Sequence, residues 1–303
     1  MAPIRHILEA QQFDRPYLDR LFAQATKLGK DPQPLLTGKI LATLFYEPST
    51  RTRLSFESAM HRLDGGVIST PDAEAQSSAV KGETIEDTAR IVSNYADVIV
   101  MRHGEPGSVA RAAAVSSVPV INAGDGGKGQ HPTQALLDVY TIQKELGTPD
   151  GKIIAFAGAL KFYRASRSLA ILLTLYKPAK FIFVSPPELA MLDDVKRLVS
   201  DAGIPFVDTD DYEAAVKEAD VLYQNRIPKE YFDAPDEYET YKGRFVLTRK
   251  IVDTMKDHAV VMHPLPRIDE IVPEVDDSPH AAYFRQSAYG VHVRMALLAD
   301  LLT

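Results

Sequence analysis

The sequence contains no cysteine. This absence excludes disulfide bonds, thiolate catalysis and zinc sites built on cysteine ligands. It fits a reducing compartment, and we expect the protein to be cytoplasmic. The sequence also lacks any run of about 18 apolar residues, the length that a membrane-spanning helix needs. Residues 1–15 lack the apolar segment of a signal peptide. We therefore expect no membrane partner.

An excess of positive charge is missing as well. The 34 Lys and Arg residues are outnumbered by 41 Asp and Glu residues, which gives a formal net charge of -7. This balance argues against a general affinity for nucleic acid, because counterion release requires a basic face. It is compatible with a small positive pocket that binds a single anion.

Signatures of nucleotide and metal sites are also absent. The chain has no G-x-x-x-x-G-K-[ST] segment, and residues 158–160 (GAL), which follow a predicted strand, do not extend to G-x-G-x-x-G. No pair of histidines has helical metal spacing with a carboxylate nearby. We therefore expect no catalytic metal and no cofactor.

The order of apolar segments predicts an α/β fold. Short β-branched runs alternate with helical patterns along the 303 residues, which predicts parallel sheets covered by helices on both faces. The predicted strands cover residues 39–45, 97–102, 118–122, 152–157, 180–184, 204–207, 220–224 and 258–262. The predicted helices cover residues 15–28, 51–63, 84–95, 107–115, 132–146, 164–176, 187–202, 211–218 and 281–302.

A turn-rich segment, residues 147–151 (GTPDG), separates two such series. The length of the chain also favours two domains. We expect two doubly wound parallel-sheet domains joined by helices, with a first domain over residues 1–146 and a second over residues 147–286. We expect the C-terminal helix, residues 287–303, to pack back on the first domain.

The first segment with chemical character is residues 47–53 (EPSTRTR), between a predicted strand and a predicted helix. Pro48 ends the strand, and Ser49 or Thr50 can cap the helix. The free N–H groups of a helix N-terminus attract anions, and arginine can bind a phosphate bidentately. The segment therefore suits a phosphate, although a capped helix with solvated arginines would carry the same residues.

Two further segments follow predicted strands. Residues 122–127 (NAGDGG) form a flexible turn before residues 131–134 (HPTQ), where His131 and Gln134 begin a helix. A histidine there can donate a hydrogen bond to a carbonyl oxygen. Residues 263–267 (HPLPR) contain two prolines, which leave backbone carbonyls free to accept from an amine. Taken singly, a capping histidine and a rigid turn are the favoured explanations of these two segments.

Three arginines complete the pattern. Arg102 and Arg226 follow predicted strands, and Arg164 opens a predicted helix. Ligands of open α/β sheets bind at the carboxyl ends of strands. Together the three arginines indicate a pocket for a ligand with several negative charges.

In this order, the three segments resemble the catalytic chains of aspartate carbamoyltransferases, in the aspartate/ornithine carbamoyltransferase superfamily. S-T-R-T-R and H-P-T-Q are typical of the superfamily, and H-P-L-P-R-x-D-E favours the aspartate branch. The likeness extends through nearly the whole chain. It implies transfer of the carbamoyl group of carbamoyl phosphate to L-aspartate, an early step of pyrimidine biosynthesis. It also implies one domain for each substrate and a homotrimer, with regulatory chains or other pathway enzymes as further candidate partners.

The resemblance also implies the site residues. The residues implied to bind the phosphate of carbamoyl phosphate are Ser49, Thr50, Arg51 and Thr52. Its carbonyl oxygen would be bound by Thr52, Arg102 and His131, and its amino group by Gln134. The implied catalytic residues are Arg51, Thr52, Arg102 and His131. The groups implied to bind aspartate are Lys81, Arg164, Arg226 and the carbonyls of Leu265 and Pro266. The residues that a neighbouring subunit would contribute to the site are Ser77 and Lys81.

The sequence departs from the family pattern on the acceptor side alone. The usual G-D-L-K-Y-G-R-T-V-H-S-L is replaced by residues 158–169 (GALKFYRASRSL), and the usual R-V-Q-K-E-R by residues 226–231 (RIPKEY). The replacements that matter most for the acceptor are Ala159, Tyr163, Ala165, Arg167, Pro228 and Tyr231. Two alternatives therefore stand beside aspartate transfer: a carbamoyltransferase with another amine acceptor, and a non-catalytic relative that still binds carbamoyl phosphate.

Overall fold

The computed structural model describes residues 5–76, 81–126, 129–229, 232 and 235–303. The chain forms two compact units, Met1–Leu137 with Ala288–Thr303, and Asp138–Ser287. Both junctions lie inside helices, α6 (Pro132–Leu146) and α12 (Tyr283–Leu302). The sequence predicts the first junction at the turn that follows α6 instead. A junction inside a helix has no turn residues to mark it, so the sequence pattern does not reveal it.

The first unit is built on a four-stranded sheet. Its strands are β1 (Ile40–Phe45), β2 (Gly66–Thr70), β3 (Val98–His103) and β4 (Val120–Asp125), all parallel in the order β2-β1-β3-β4. Its helices are α1 (Arg15–Lys30), α2 (Thr50–Arg62), α3 (Ala73–Gln76), α4 (Ile85–Val92) and α5 (Ser108–Val115), with the adjoining parts of α6 and α12.

Burial on the strands of the first unit explains why they form. β1 and β3 lie between two neighbours, and their residues from Leu41 to Phe45 and from Val98 to Met101 are buried. Alternate residues of a strand face opposite sides of the sheet. Ala42, Leu44 and Ile99 therefore pack in one cluster with residues of α4 and α5.

Strand β2 is not predicted by the sequence pattern. It pairs only with β1, from Ile40 opposite Gly66 to Leu44 opposite Thr70, and its residues are exposed or half-buried. An edge strand with little burial lacks the apolar run by which buried strands are recognised. The missed prediction therefore follows from its place at the edge of the sheet.

The second unit contains a five-stranded parallel sheet. Its strands are β5 (Ile153–Ala157), β6 (Lys180–Val184), β7 (Phe206–Thr209), β8 (Val221–Gln224) and β9 (Val260–Met262), in the order β7-β6-β5-β8-β9. Its further helices are α7 (Arg164–Leu173), α8 (Asp193–Asp201), α9 (Tyr212–Glu218), α10 (Pro235–Tyr241) and α11 (Arg249–Val252).

The two faces of the second sheet carry different side chains. Ala155 and Ala157 lie on one face, in a cluster that includes residues of α9 and α11. Phe156 lies on the other face, where its ring centroid is 5.4 Å from that of Phe181 and 6.0 Å from that of Tyr223. Burial on both faces is typical of parallel sheets, and it confirms the predicted fold class of two doubly wound domains.

Most predicted elements are present with shifted ends. The predicted helix over residues 187–202 is instead a 3₁₀ helix, Pro187–Leu189, followed by α8. Helices α3, α10 and α11 have four to seven residues, too few for an apolar period to show. In the described part of the chain, no helix combines the length and the apolar character needed to cross a membrane.

Each sheet is held at its amino end by an aspartate that precedes a strand. Asp97, directly before β3, accepts a hydrogen bond from the N–H of Ile40 at 2.9 Å. Asp220, directly before β8, accepts one from the N–H of Ile153 at 2.7 Å, and also contacts Lys256. The Asp220 side chain is 8% exposed and the Asp97 side chain 35% exposed.

The two aspartates therefore differ in the stability that they contribute. We expect Asp220→Asn to lower the free energy of unfolding by about 1–3 kcal/mol, since a buried, charge-assisted set of hydrogen bonds is lost. The matched variant Asp97→Asn should cost less than about 1 kcal/mol, because its ion pair is exposed. Urea unfolding of both variants measures the difference, and equal losses would contradict this account.

The contribution of Asp220 should also depend on pH. Burial alone would raise the pKa of its carboxyl, but hydrogen bonds from Ile153, Lys256 and His258 hold the pKa below the ordinary value. A depressed pKa means that the stabilisation is present above the unfolded-state pKa of about 3.9 and is lost as the pH falls through the folded-state pKa. The difference between wild type and Asp220→Asn should therefore shrink in acid.

Candidate active site

Most of the predicted site residues lie at or after the carboxyl ends of β1, β3 and β4 in the first unit and of β5, β8 and β9 in the second. In each unit these three strands are neighbours in the sheet. Parallel pairing brings their carboxyl ends to one edge. The segments therefore lie along one edge of each sheet, where ligands of open α/β folds bind.

The loop after β1 leads into α2. Ser49 is the N-cap residue of this helix, with extended φ and ψ of -158° and 93°, and its side chain makes no capping hydrogen bond. Thr52, in the first turn, is 7% exposed. The first N–H groups of a helix have no partner within the helix and carry partial positive charge. This end of α2 is therefore suited to an anion.

Two arginines in the first turns of α2 differ in their partners. Within the described part of the chain, the Arg51 guanidinium makes no hydrogen bond or ion pair, whereas Arg53 contacts Glu57 and Ser69, each at 3.3 Å. Although much of the Arg51 residue is exposed, burial around its guanidinium lowers its pKa. An arginine nevertheless stays protonated, so Arg51 is a partly desolvated cation open to an anionic ligand.

Arg102 lies near the end of β3, next to the loop that precedes α2. Its Nε donates to Glu47 Oε2 at 3.1 Å, and its carbonyl accepts from the N–H of Tyr46 at 2.9 Å. Glu47 thereby fixes the direction of the Arg102 side chain. The sequence pattern places Glu47 in the first segment but does not indicate this contact, which depends on the pairing of Phe45 with Arg102 across β1 and β3.

His131 and Gln134 lie at the start of α6. They are 6% and 9% exposed, and the His131 carbonyl accepts from the N–H of Gln134 at 3.0 Å. The N–H of Asp125, at the end of β4, donates to the carbonyl of Gln130 at 3.2 Å. A Cβ at Gly129 would lie 1.6 Å from the Asp125 carbonyl oxygen, so this close return of the loop requires glycine. The predicted donor residues are thus brought to the ends of β1, β3 and β4.

In the second unit, Arg164 is the first residue of α7, after β5, and Arg226 follows β8. The two loops approach closely, since the N–H of Ala159 points to the carbonyl of Arg226 at 3.5 Å. Gly158 has a φ of 117°, and a Cβ there would lie 2.4 Å from the carbonyl oxygen of Asn225. The close approach of these loops places both predicted acceptor arginines on neighbouring segments.

The loop after β9 contains Leu265 and Pro266. Leu265 has a positive φ of 56°, and its N–H donates to His263 Nδ1 at 2.7 Å. His263 Nε2 lies 2.7 Å from Glu270 Oε1. Further along, Arg267 forms an ion pair with Asp276. Side-chain contacts therefore hold the loop in place near both of its ends.

Residues that depart from the family pattern are mostly buried. Ala159 and Ala165 are 0% and 6% exposed. Arg167 is 4% exposed, and its Nη1 donates to the carbonyl of Lys161 at 2.8 Å. Pro228 is buried and Tyr163 is half-buried as the N-cap residue of α7. The altered residues therefore lie mostly in the packed interior of the second unit.

Two predicted residues, Ser77 and Tyr231, lie outside the described residues. Lys81 is described and exposed, in the segment before α4. Where the chain is described, no group of three or more His, Asp or Glu side chains is arranged to hold a metal ion.

Comparison with known proteins identifies the family. Residues 5–144 match the carbamoyl-P binding domain of aspartate/ornithine carbamoyltransferases, and residues 150–301 match their Asp/Orn binding domain. The chain belongs to the aspartate/ornithine carbamoyltransferase family.

Individual relatives lie in the aspartate branch. The chain is 51% identical to aspartate carbamoyltransferase 3, chloroplastic, of Pisum sativum over 98% of this chain and 77% of that protein. It is similar to the catalytic subunit of Methanocaldococcus jannaschii aspartate transcarbamoylase, with 46% identity, a TM-score of 0.90 and coverage of 99% and 98% of the two chains. It is similar to Trypanosoma cruzi aspartate transcarbamoylase in complex with carbamoyl phosphate and aspartate, with 37% identity, a TM-score of 0.93 and coverage of 99% and 97%.

Because Arg51 and Arg53 differ in their partners, they form a matched pair for testing the anion site. We expect Arg51→Ala to weaken the binding of inorganic phosphate by about tenfold or more, since a charge-assisted hydrogen bond contributes roughly 1.5–3 kcal/mol. Arg53→Ala should leave phosphate affinity near wild type. Calorimetric titration measures both, and an unchanged affinity in Arg51→Ala would show that the anion binds elsewhere.

Proposed function

We propose that this chain transfers the carbamoyl group of carbamoyl phosphate to the amine of L-aspartate, giving N-carbamoyl-L-aspartate and phosphate. The observation that carries the proposal is the Arg51 guanidinium at the N-terminus of α2, which makes no hydrogen bond or ion pair with the described residues. It belongs to one of the segments that resemble the family pattern. The Trypanosoma cruzi relative, in complex with both substrates, supports the same pair of ligands.

The donor is bound through its phosphate. Ser49, Thr50, Arg51 and Thr52 hold the phosphate oxygens at the start of α2, where the helix dipole favours negative charge. Gln134 accepts from the amino group of the carbamoyl moiety through its amide oxygen.

The carbonyl oxygen is the place where negative charge develops during the reaction. As the aspartate amine attacks the carbonyl carbon, that oxygen becomes an oxyanion, and Thr52, Arg102 and His131 stabilise it. Arg102 is held for this task by Glu47. The bond between the carbonyl carbon and the bridging oxygen then breaks, and phosphate leaves. No side-chain base is evident among these residues, so we assign the amine proton to the departing phosphate.

The acceptor is bound by the second unit. Arg164 and Arg226 hold its two carboxylates, because a planar guanidinium matches a carboxylate bidentately. The carbonyls of Leu265 and Pro266 accept from its amine and direct the lone pair. Pro228 cannot supply the side-chain donor that glutamine gives in the family pattern, so the arginines carry more of the recognition here.

We further propose that the protein is a homotrimer in which Ser77 and Lys81 of one subunit reach the site of its neighbour. Lys81 is exposed and, within the described residues, makes no ion pair. Leu54 on α2 and Ile68 on the adjoining β2 are 49% and 43% exposed, which gives apolar surface for subunit contact. The Methanocaldococcus jannaschii relative is described as a catalytic subunit, and we propose regulatory chains as additional partners. A cytoplasmic location stays a prediction from the absence of cysteine.

The donor site and its sharing between subunits can be tested together. His131→Ala should lower kcat by about 10²–10³-fold, as the loss of an oxyanion donor does, with a smaller effect on carbamoyl phosphate affinity. Mixing His131→Ala chains with Lys81→Ala chains should restore activity, because some sites then contain both native residues. An unchanged kcat would refute the role of His131, and a mixture no more active than its parts would contradict shared sites.

The acceptor is tested by product formation from a panel of amines. We expect the purified chain to form carbamoyl-aspartate, and a bisubstrate phosphonate to inhibit it competitively with carbamoyl phosphate. Arg226→Ala should raise the KM for aspartate by about tenfold or more, since an ionic hydrogen bond is lost, whereas Arg249→Ala, which removes an exposed pair with Asp253, should not.

The same panel separates the alternatives. Product from another amine but not from aspartate would establish a different acceptor. Binding of carbamoyl phosphate without product from any amine would establish a non-catalytic relative.

A further inference from the structure

A buried pair of ionisable side chains lies in the loop after β9. The side chains of His263 and Glu270 are 1% and 4% exposed, and His263 Nε2 is 2.7 Å from Glu270 Oε1. Glu270 Oε2 accepts from the N–H groups of Ile268 and Asp269 at 3.1 and 3.2 Å. Burial alone would raise the pKa of the Glu270 carboxyl, but hydrogen bonds from His263 and the backbone lower it. Glu270 is therefore an ionised acceptor.

The other ring nitrogen fixes the tautomer of His263. The N–H of Leu265 donates to His263 Nδ1 at 2.7 Å. An N–H group can donate only to a nitrogen that has a lone pair, so Nδ1 carries no proton. The proton of the neutral ring is then on Nε2, where it donates to Glu270. Glu270 thus selects the tautomer in which Nδ1 can accept from Leu265.

Leu265 has an unfavourable backbone conformation. Its φ of 56° lies in the left-handed region, which is unfavourable for a residue with a Cβ. Such a conformation persists only where surrounding contacts hold it. The hydrogen bond from its N–H to His263 is one such contact, and the carbonyl of the same residue is the one proposed to orient the acceptor amine.

The next part of the loop is anchored separately. Arg267 pairs with Asp276 and donates to the hydroxyl of Tyr283 at 3.2 Å. These contacts do not involve His263 or Glu270. Loss of the buried pair should therefore disturb the backbone at residues 263–266 more than the rest of the loop.

We propose that His263 is a positioning residue: held by Glu270 in the Nε2-protonated tautomer, it fixes the Leu265 backbone so that its carbonyl faces the acceptor amine. This inference rests on the proposed function. The His263 ring acts through Leu265 and does not itself contact the reacting atoms.

Two substitutions separate the two ring nitrogens. In His263→Asn the side-chain oxygen can take the place of Nδ1 and still accept from Leu265, although the bond to Glu270 is lost. In His263→Gln the longer amide can reach Glu270, but no acceptor is left near the N–H of Leu265. Both variants lose half of the network, so a purely structural role predicts similar effects.

Steady-state kinetics with aspartate, calorimetry with carbamoyl phosphate and thermal melts distinguish these roles. We expect kcat to fall on the order of 10²-fold in His263→Gln, as misplacement of a reacting group does, and much less in His263→Asn. The affinity for carbamoyl phosphate should be unchanged in both variants. Wild-type kcat in His263→Gln, or equal losses of kcat in both variants, would overturn the proposal.

A measurement of the tautomer does not depend on activity. Nitrogen NMR of ¹⁵N-histidine-labelled protein should show several rings with an unprotonated Nδ1, because His6 and His103 also accept from backbone N–H groups there. The ring whose signals are missing in His263→Asn should have a protonated Nε2 and an unprotonated Nδ1. The opposite tautomer would overturn the inference even if the enzyme is active. Absence of carbamoyl-aspartate formation by the wild type would overturn the proposed function instead, while leaving the tautomer assignment intact.

Discussion

Parallel pairing of the central strands is the constraint that brings the predicted ligand-binding residues together within each unit. In the first unit Phe45 lies opposite Arg102, and in the second Ala157 lies opposite Gln224. Strands paired in this way end at the same edge, so the segments that follow them are neighbours in space although distant in sequence. A slip of one residue would turn the Arg102 side chain to the other face of the sheet.

The two units use this constraint in the same manner. In each, the first central strand leads to a helix with an arginine at its start, Arg51 in α2 and Arg164 in α7. The neighbouring strand supplies a second arginine at or near its end, Arg102 or Arg226. The arrangement concentrates positive charge locally in a chain whose formal net charge is -7. It suits a phosphate in one unit and carboxylates in the other.

Much of this could be predicted from the sequence because the signals are local. Residues 47–53 follow a strand closely and contain a proline and hydroxyl residues within one short segment, so their place at the start of α2 follows from neighbouring residues alone. Strand β2 has no such signal because its edge position leaves it exposed. The role of Glu47 depends on a partner 55 residues away in sequence. The role of His263 depends on which nitrogen faces Leu265, and only the folded backbone determines this.

The junctions inside α6 and α12 have a consequence for the order of synthesis. The first unit begins the chain and is completed by residues 288–303, where Val293 and Leu297 are fully buried. A ribosome therefore releases the entire second unit before the first has the segment that completes its core. The second unit is continuous and can fold as it emerges. The first unit is thus completed only after the second has been synthesised, because residues 288–303 follow the second unit in the chain.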